Sequence, residues 1–150
     1  VETNGEVLRQ SDFAAFAALN DVPMGMTAHI TYSAFDDRPA TLSPKMMGLI
    51  RDEIGFDGLI MTDDISMKAL TGTLGELSRL SLDAGCDVIL HCNGTLSEME
   101  DVAGAAGEMI PDAHRRAEAA LACRRTPDPV DISHLQAQLE ALLNGTVHDA

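Results

Sequence analysis

Basic residues are scarce in this 150-residue chain: 10 Lys and Arg stand against 24 Asp and Glu, a net charge of −14. Nucleic acid and anionic membrane surfaces recruit Lys and Arg, so neither is an expected partner, whereas neutral sugars remain compatible. Cysteine is sparse too. Cys86, Cys92 and Cys123 form an odd set without close metal-ligand spacing and read as buried small hydrophobes. No apolar run reaches the ~18 residues of a membrane span, and no secretory leader is visible. Glycine-rich phosphate loops are also missing. There is no initiator Met: Val1 opens a run that starts mid-architecture, and the chain reads as a fragment.

What is present has the balance of an ordinary globular domain, with 45% hydrophobic and 23% charged residues. Leu8, Phe13, Phe16 and Leu19 recur at helical spacing and predict a helix over 6–19. Strands are expected at 23–30, 59–62 and 87–92. Ser43 and Pro44 supply an N-cap and a first-turn proline for a helix ending at Gly55, and a second helix over 75–84 stops at Gly85. Helices over 97–109 and 112–124 are split by Pro111, and prolines at 127 and 129 mark a linker. A last amphipathic helix over 131–143 needs a partner surface. Strand, loop and helix therefore repeat every ~30 residues, the pattern of βα units on a parallel sheet covered on both faces. Pattern alone leaves half a barrel and a small doubly wound sheet equally open.

Residues 55–67 read Gly-Phe-Asp-Gly-Leu-Ile-Met-Thr-Asp-Asp-Ile-Ser-Met, an apolar strand ending in the adjacent carboxylates Asp63 and Asp64. Ligands of α/β proteins gather at the carboxyl ends of parallel strands, which invites a chemical role; an N-cap for the following segment is the plainer alternative. His29 stands at the end of the first strand as Asp63 does at the second. It either lines a pocket or is a structural histidine bonded to a neighbouring loop. Met67 lines the same site or packs on the rim. Asp36, Asp37 and Arg38 read as a solvated surface turn, and Asn93 as a turn residue.

The segment resembles the nucleophile strand of family 3 glycoside hydrolases, in particular bacterial β-N-acetylhexosaminidases of peptidoglycan recycling. The similarity extends through Met26-Thr27-Ala28-His29-Ile30, Arg38-Pro39-Ala40-Thr41-Leu42-Ser43-Pro44, Asp83-Ala84-Gly85-Cys86-Asp87 and His91-Cys92-Asn93, covering residues 6–122. It implies an α/β fold, the carboxy-terminal part of a (β/α)₈ TIM barrel. About three βα units would occupy residues 1–125, with a linker and helix over 126–150. It implies retaining hydrolysis of terminal N-acetyl-β-D-glucosaminyl residues of cell-wall muropeptides, in the cytoplasm, without metal or organic cofactor. Asp63 is then the catalytic nucleophile, Asp64 braces the loop, and His29 and Met67 are substrate-binding candidates. The family's acid/base loop, Asp-Ser-His-x-x-Leu-Pro, and its Lys-His-Phe-Pro-Gly-His-Gly block are absent from the sequence. The chain alone is accordingly expected to be inactive, and its open sheet edges to favour self-association. Two rivals stand beside this: a magnesium site for phosphate chemistry at Asp63 and Asp64, with Lys68 the only nearby lysine, and a non-catalytic partner-binding α/β domain.

Overall fold

A computed structural model of the chain describes residues 1–145. Its sheet has three parallel strands, β1 (Met24–Met26), β2 (Leu59–Asp64) and β3 (Val88–Leu90), in the order β1-β2-β3. Two short helices, α1 (Gly5–Gln10) and α2 (Asp12–Ala17), precede β1. Parallel neighbours require a crossover. Between β1 and β2 it is a 3₁₀ turn (Ala40–Leu42) followed by α3 (Pro44–Gly48), which runs on as a π-helical turn (Leu49–Glu53). Between β2 and β3 it is α4 (Leu74–Ala84), and β3 is followed by α5 (Leu96–Ala106), α6 (Pro111–Ala122) and α7 (Ile132–Leu143).

Helix starts follow the capping residues. Ser43 accepts from the Met46 amide at 3.1 Å ahead of Pro44, and Thr73 with Glu76 and Thr95 with Glu98 close reciprocal capping boxes on α4 and α5. Gly85, at φ 119°, ends α4 in a left-handed conformation that a side chain would resist. The helix expected over 6–19 is instead broken at Ser11. Its hydroxyl donates to the Val7 carbonyl at 2.8 Å, drawing that acceptor into a local bond.

Among the described residues the packed layers lie against one face of the sheet, although Leu59, at the start of β2, is buried on the other. On the packed face Ile60 lies with Met47, Phe56, Ala84 and Cys86, and Ile89 joins the cluster of Ile65, Leu70 and Leu77. A Cβ on Gly25 would meet the Phe56 ring at 3.2 Å, so Gly25 faces the same layer. Its neighbours Met24 and Met26 point the other way, and are 43% and 56% exposed. The expectation of two fully covered faces is thus not met among the described residues.

Three further expectations are corrected. Strand one is three residues long, and strand two reaches past Thr62 to take in both carboxylates. Cys86 is buried, with its thiol pushed up to about 12 by desolvation, but Cys92 and Cys123 are exposed at element ends. Asp36 is buried, not a solvated turn residue: it accepts from Ser43 Oγ at 2.6 Å and from Arg38 at 3.0 Å. Those bonds, the Ser43 hydroxyl foremost, hold its carboxyl well below the usual range. The apolar stripe of α7 is exposed, Leu135 by 50% and Leu143 by 77%, and residues 146–150 of the expected terminal segment, with His148, lie outside the described residues.

A charged hub fastens the helices to the amino ends of the strands. Asp87, 5% exposed, accepts from Arg51 at 2.8 Å, Arg116 at 3.0 Å and the Ile60 amide at 2.8 Å. Arg51 also donates to the carbonyls of Phe56 and Gly58. Further out, Arg115 and Arg116 bond Asp57, whose carboxyl is lowered to about 2, chiefly by Arg115. A carboxyl depressed from an unfolded value of about 3.9 stabilises the fold above that pH and loses the effect as pH falls toward 2. Acid unfolding should therefore steepen between those values. Arg115→Ala should soften that limb only slightly, because the pair is exposed; equilibrium unfolding against pH checks it.

Candidate active site

The strand end that carries Asp63 is irregular. Met61 pairs with Val88 and Asp64 with Leu90, so β2 spends three steps where β3 spends two. This β-bulge falls at Thr62 and Asp63, and bulges re-aim side chains. Thr62, fully buried, repairs the interrupted ladder with its hydroxyl, which accepts from the Leu90 amide at 2.9 Å. Ile65 then donates to the Leu90 carbonyl at 3.0 Å, locking the strand end to β3.

The two carboxylates are differently placed. Asp63 is half-buried, and its Oδ1 accepts from the Asp64 amide at 2.8 Å. Its other oxygen has no hydrogen bond among the described residues. Asp64 Oδ1 accepts from the amide and hydroxyl of Ser66 at 3.0 and 2.8 Å, with the Cys92 amide at 3.4 Å. These donors, Ser66 N–H first, hold the Asp64 carboxyl below its ordinary value. Asp64 is thereby committed to the turn after β2, while Asp63 retains a free oxygen. Among the described residues no group of three or more His, Cys, Asp or Glu is gathered as metal ligands would be.

His29 lies three residues past β1, beyond the strand expected to end on it, and braces the end of β2. Its Nε2 lies 2.9 Å from the Asp64 carbonyl, which can only accept, so Nε2 carries the proton. In the neutral ring Nδ1 then accepts from the Thr41 hydroxyl at 2.8 Å, and Thr41 Oγ1 accepts from Thr27 Oγ1 at 2.8 Å. Both ring nitrogens are engaged, so the geometry supports the structural alternative for His29 and leaves only ring carbons to meet a ligand. Met67 donates its amide to the same Asp64 carbonyl at 3.1 Å and exposes 44% of its surface beside the strand end. Sequence reasoning missed Thr27, Thr41 and Thr62. Thr41 sits in a motif block, yet a threonine carries no mark of being buried. Thr41→Val should cost about 1–3 kcal/mol, because His29 Nδ1 and the Thr27 hydroxyl lose their partner; thermal denaturation measures it.

Similarity to known proteins falls on this arrangement. The sequence model described as glycosyl hydrolase family 3 N terminal domain matches residues 1–120. The chain belongs to this family. Among curated relatives, the β-hexosaminidase of Neisseria gonorrhoeae (strain NCCP11945) is 37% identical over 112 residues, covering 70% of this chain and 30% of its own. A family 3 β-N-acetylglucosaminidase from Paenibacillus sp. str. FPU-7 superposes with a TM-score of 0.71 at 25% identity, over 88% of this chain and 29% of that one. The β-N-acetylglucosaminidase from Thermotoga maritima gives 0.68 at 29% identity, over 85% and 32%. This family 3 chain therefore spans about a third or less of the length of these relatives.

Proposed function

We propose that the chain supplies the nucleophile strand of a retaining β-N-acetylhexosaminidase, with Asp63 as the nucleophile. The observation that carries this is the bulged end of β2, where Asp63 keeps a carboxylate oxygen free while Asp64 is tied into the turn. In such a reaction the free oxygen attacks the anomeric carbon as the bond to the leaving oxygen breaks, giving a covalent glycosyl-aspartate. A proton donor outside this chain protonates the leaving group. The same group then takes a proton from water as water attacks the anomeric carbon and frees Asp63. Asp64, His29 and Met67 hold the strand end through one backbone carbonyl and one turn, and Met67 extends an apolar surface toward the sugar.

The three strands are, on this reading, adjacent strands of a (β/α)₈ barrel whose interior is the face of Met24 and Met26. The substrate class is terminal N-acetyl-β-D-glucosaminyl residues of cell-wall muropeptides, met in the cytoplasm; the relatives' names, β-hexosaminidase and β-N-acetylglucosaminidase, support the sugar. Alone, the chain lacks a proton donor, and general acid catalysis contributes about 10²–10⁴ in rate. Its free β1 and β3 edges favour self-association. Assaying p-nitrophenyl β-N-acetylglucosaminide with the chain alone, then with the amino-terminal portion of a relative added, tests this. Background rate alone and hydrolysis on complementation are expected; full activity of the chain alone would overturn it.

A further inference from the structure

His91 follows β3 directly and is unusual in its surroundings. Its side chain is 7% exposed, and neither ring nitrogen has a hydrogen-bond partner. Burying such a group unpaired costs about 1–3 kcal/mol, so its retention in this place requires a compensating contact. Asp64 Oδ1 lies 3.7 Å from Nδ1, beyond a hydrogen bond but within ion-pair reach. Gly94 closes over the other edge of the ring: a Cβ there would overlap His91 Nε2, so only glycine lets the chain pass. Asn93 and Gly94 are thus more than a turn signal; they seat the imidazole.

We propose that His91 is a positioning residue for the reaction at Asp63, acting through Asp64: its buried ring sits against Asp64 Oδ1 and fixes the strand end that presents the nucleophile. The inference rests on the reading of Asp63 as nucleophile. The linkage is short. Asp64 donates its amide to Asp63 Oδ1, and the carboxylate that faces His91 also receives Ser66 and Cys92. One ring therefore joins the ends of β2 and β3 where the bulge has interrupted the ladder.

Charged groups face it from several elements. Asp64 faces it from β2, with Asp63 adjacent. From α5 comes Glu98, whose carboxyl is held low chiefly by the Thr95 amide and hydroxyl, with His91's charge adding to that. The cavity of about 640 Å³ that His91 lines carries Arg79 and Asp83 from α4, Asp87 ahead of β3 and Glu108 after α5. Carboxylates outnumber the arginine.

The test is an NMR titration of the His91 ring in the protein expressed from its complete reading frame, beside Asp64→Asn. The ring should titrate at lower pH in the variant than in the parent, as expected when an opposite charge within reach is removed. Coincident midpoints would overturn the pairing. Should Asp64→Asn not fold, the Asp64 carboxyl resonance in His91→Gln gives the reciprocal shift, upward if the pair exists and absent if not. Kinetically, His91→Gln should lower kcat between about 10- and 100-fold with KM little changed, and a kcat equal to wild type at every pH would overturn the positioning role. The titrations need no substrate, so they separate a failure here from a failure of the Asp63 assignment.

Discussion

Asp63→Asn should lower kcat/KM on p-nitrophenyl β-N-acetylglucosaminide by about 10⁴-fold or more in the protein expressed from its complete reading frame, the scale on which loss of a nucleophile acts in other covalent-intermediate enzymes. The amide keeps the shape of the side chain and an oxygen for the Asp64 N–H at 2.8 Å, so the fold should persist. What it removes is the anionic oxygen. Asp64→Asn should cost far less, between about 10- and 100-fold, because it loosens the Ser66 turn without removing the attacking atom. The ranking of the two variants, read by initial rates with circular dichroism to confirm folding, separates the adjacent carboxylates. Equal losses would mean that the diverging environments at the bulge do not divide the roles.

The second large effect is structural. Asp87→Ala should destabilise the chain by about 3–5 kcal/mol, the cost of breaking a buried pair and leaving its charges uncompensated. Arg51 and Arg116, with side chains 18% and 15% exposed, both lose their anion, and the Ile60 amide loses its acceptor. At this chain length each kcal/mol moves the midpoint by about 2–4 °C, so a fall of roughly 6–20 °C is expected in thermal denaturation. A double variant replacing Arg51 and Asp87 by apolar residues should recover part of it, since a buried pair replaced whole is often neutral. A loss under about 1 kcal/mol for Asp87→Ala would show that water reaches the hub.

Much of the layout was legible because it is written in local signals. Ser43-Pro44, Gly85 and Pro111 mark helix ends through caps and φ preferences that need no tertiary context. The parallel direction of the strands followed from alternating strands and helices, whereas their order β1-β2-β3 did not. What escaped depends on contacts distant in sequence. The bulge at Thr62 and Asp63 arises from register against β3, some 27 residues on, and no alternation pattern encodes it. Asp36 read as solvated because its hydrogen-bond partner, Ser43, already had a visible task as an N-cap. Cys92 and Cys123 followed the composition of buried residues but sit at element ends. At the site, Asp63 stood out by motif and strand position, whereas Thr27, Thr41 and His91 act only through groups that folding brings beside them.

The central claim is that Asp63 forms the glycosyl bond. Incubating the protein, expressed from its complete reading frame, with a 5-fluoro-N-acetylglucosaminyl trapping reagent and mapping the adduct by peptide mass spectrometry tests it most directly. A single covalent adduct on Asp63, lost in Asp63→Asn, is the expected result. An adduct on Asp64 or elsewhere, or none while substrate is still hydrolysed, would contradict it.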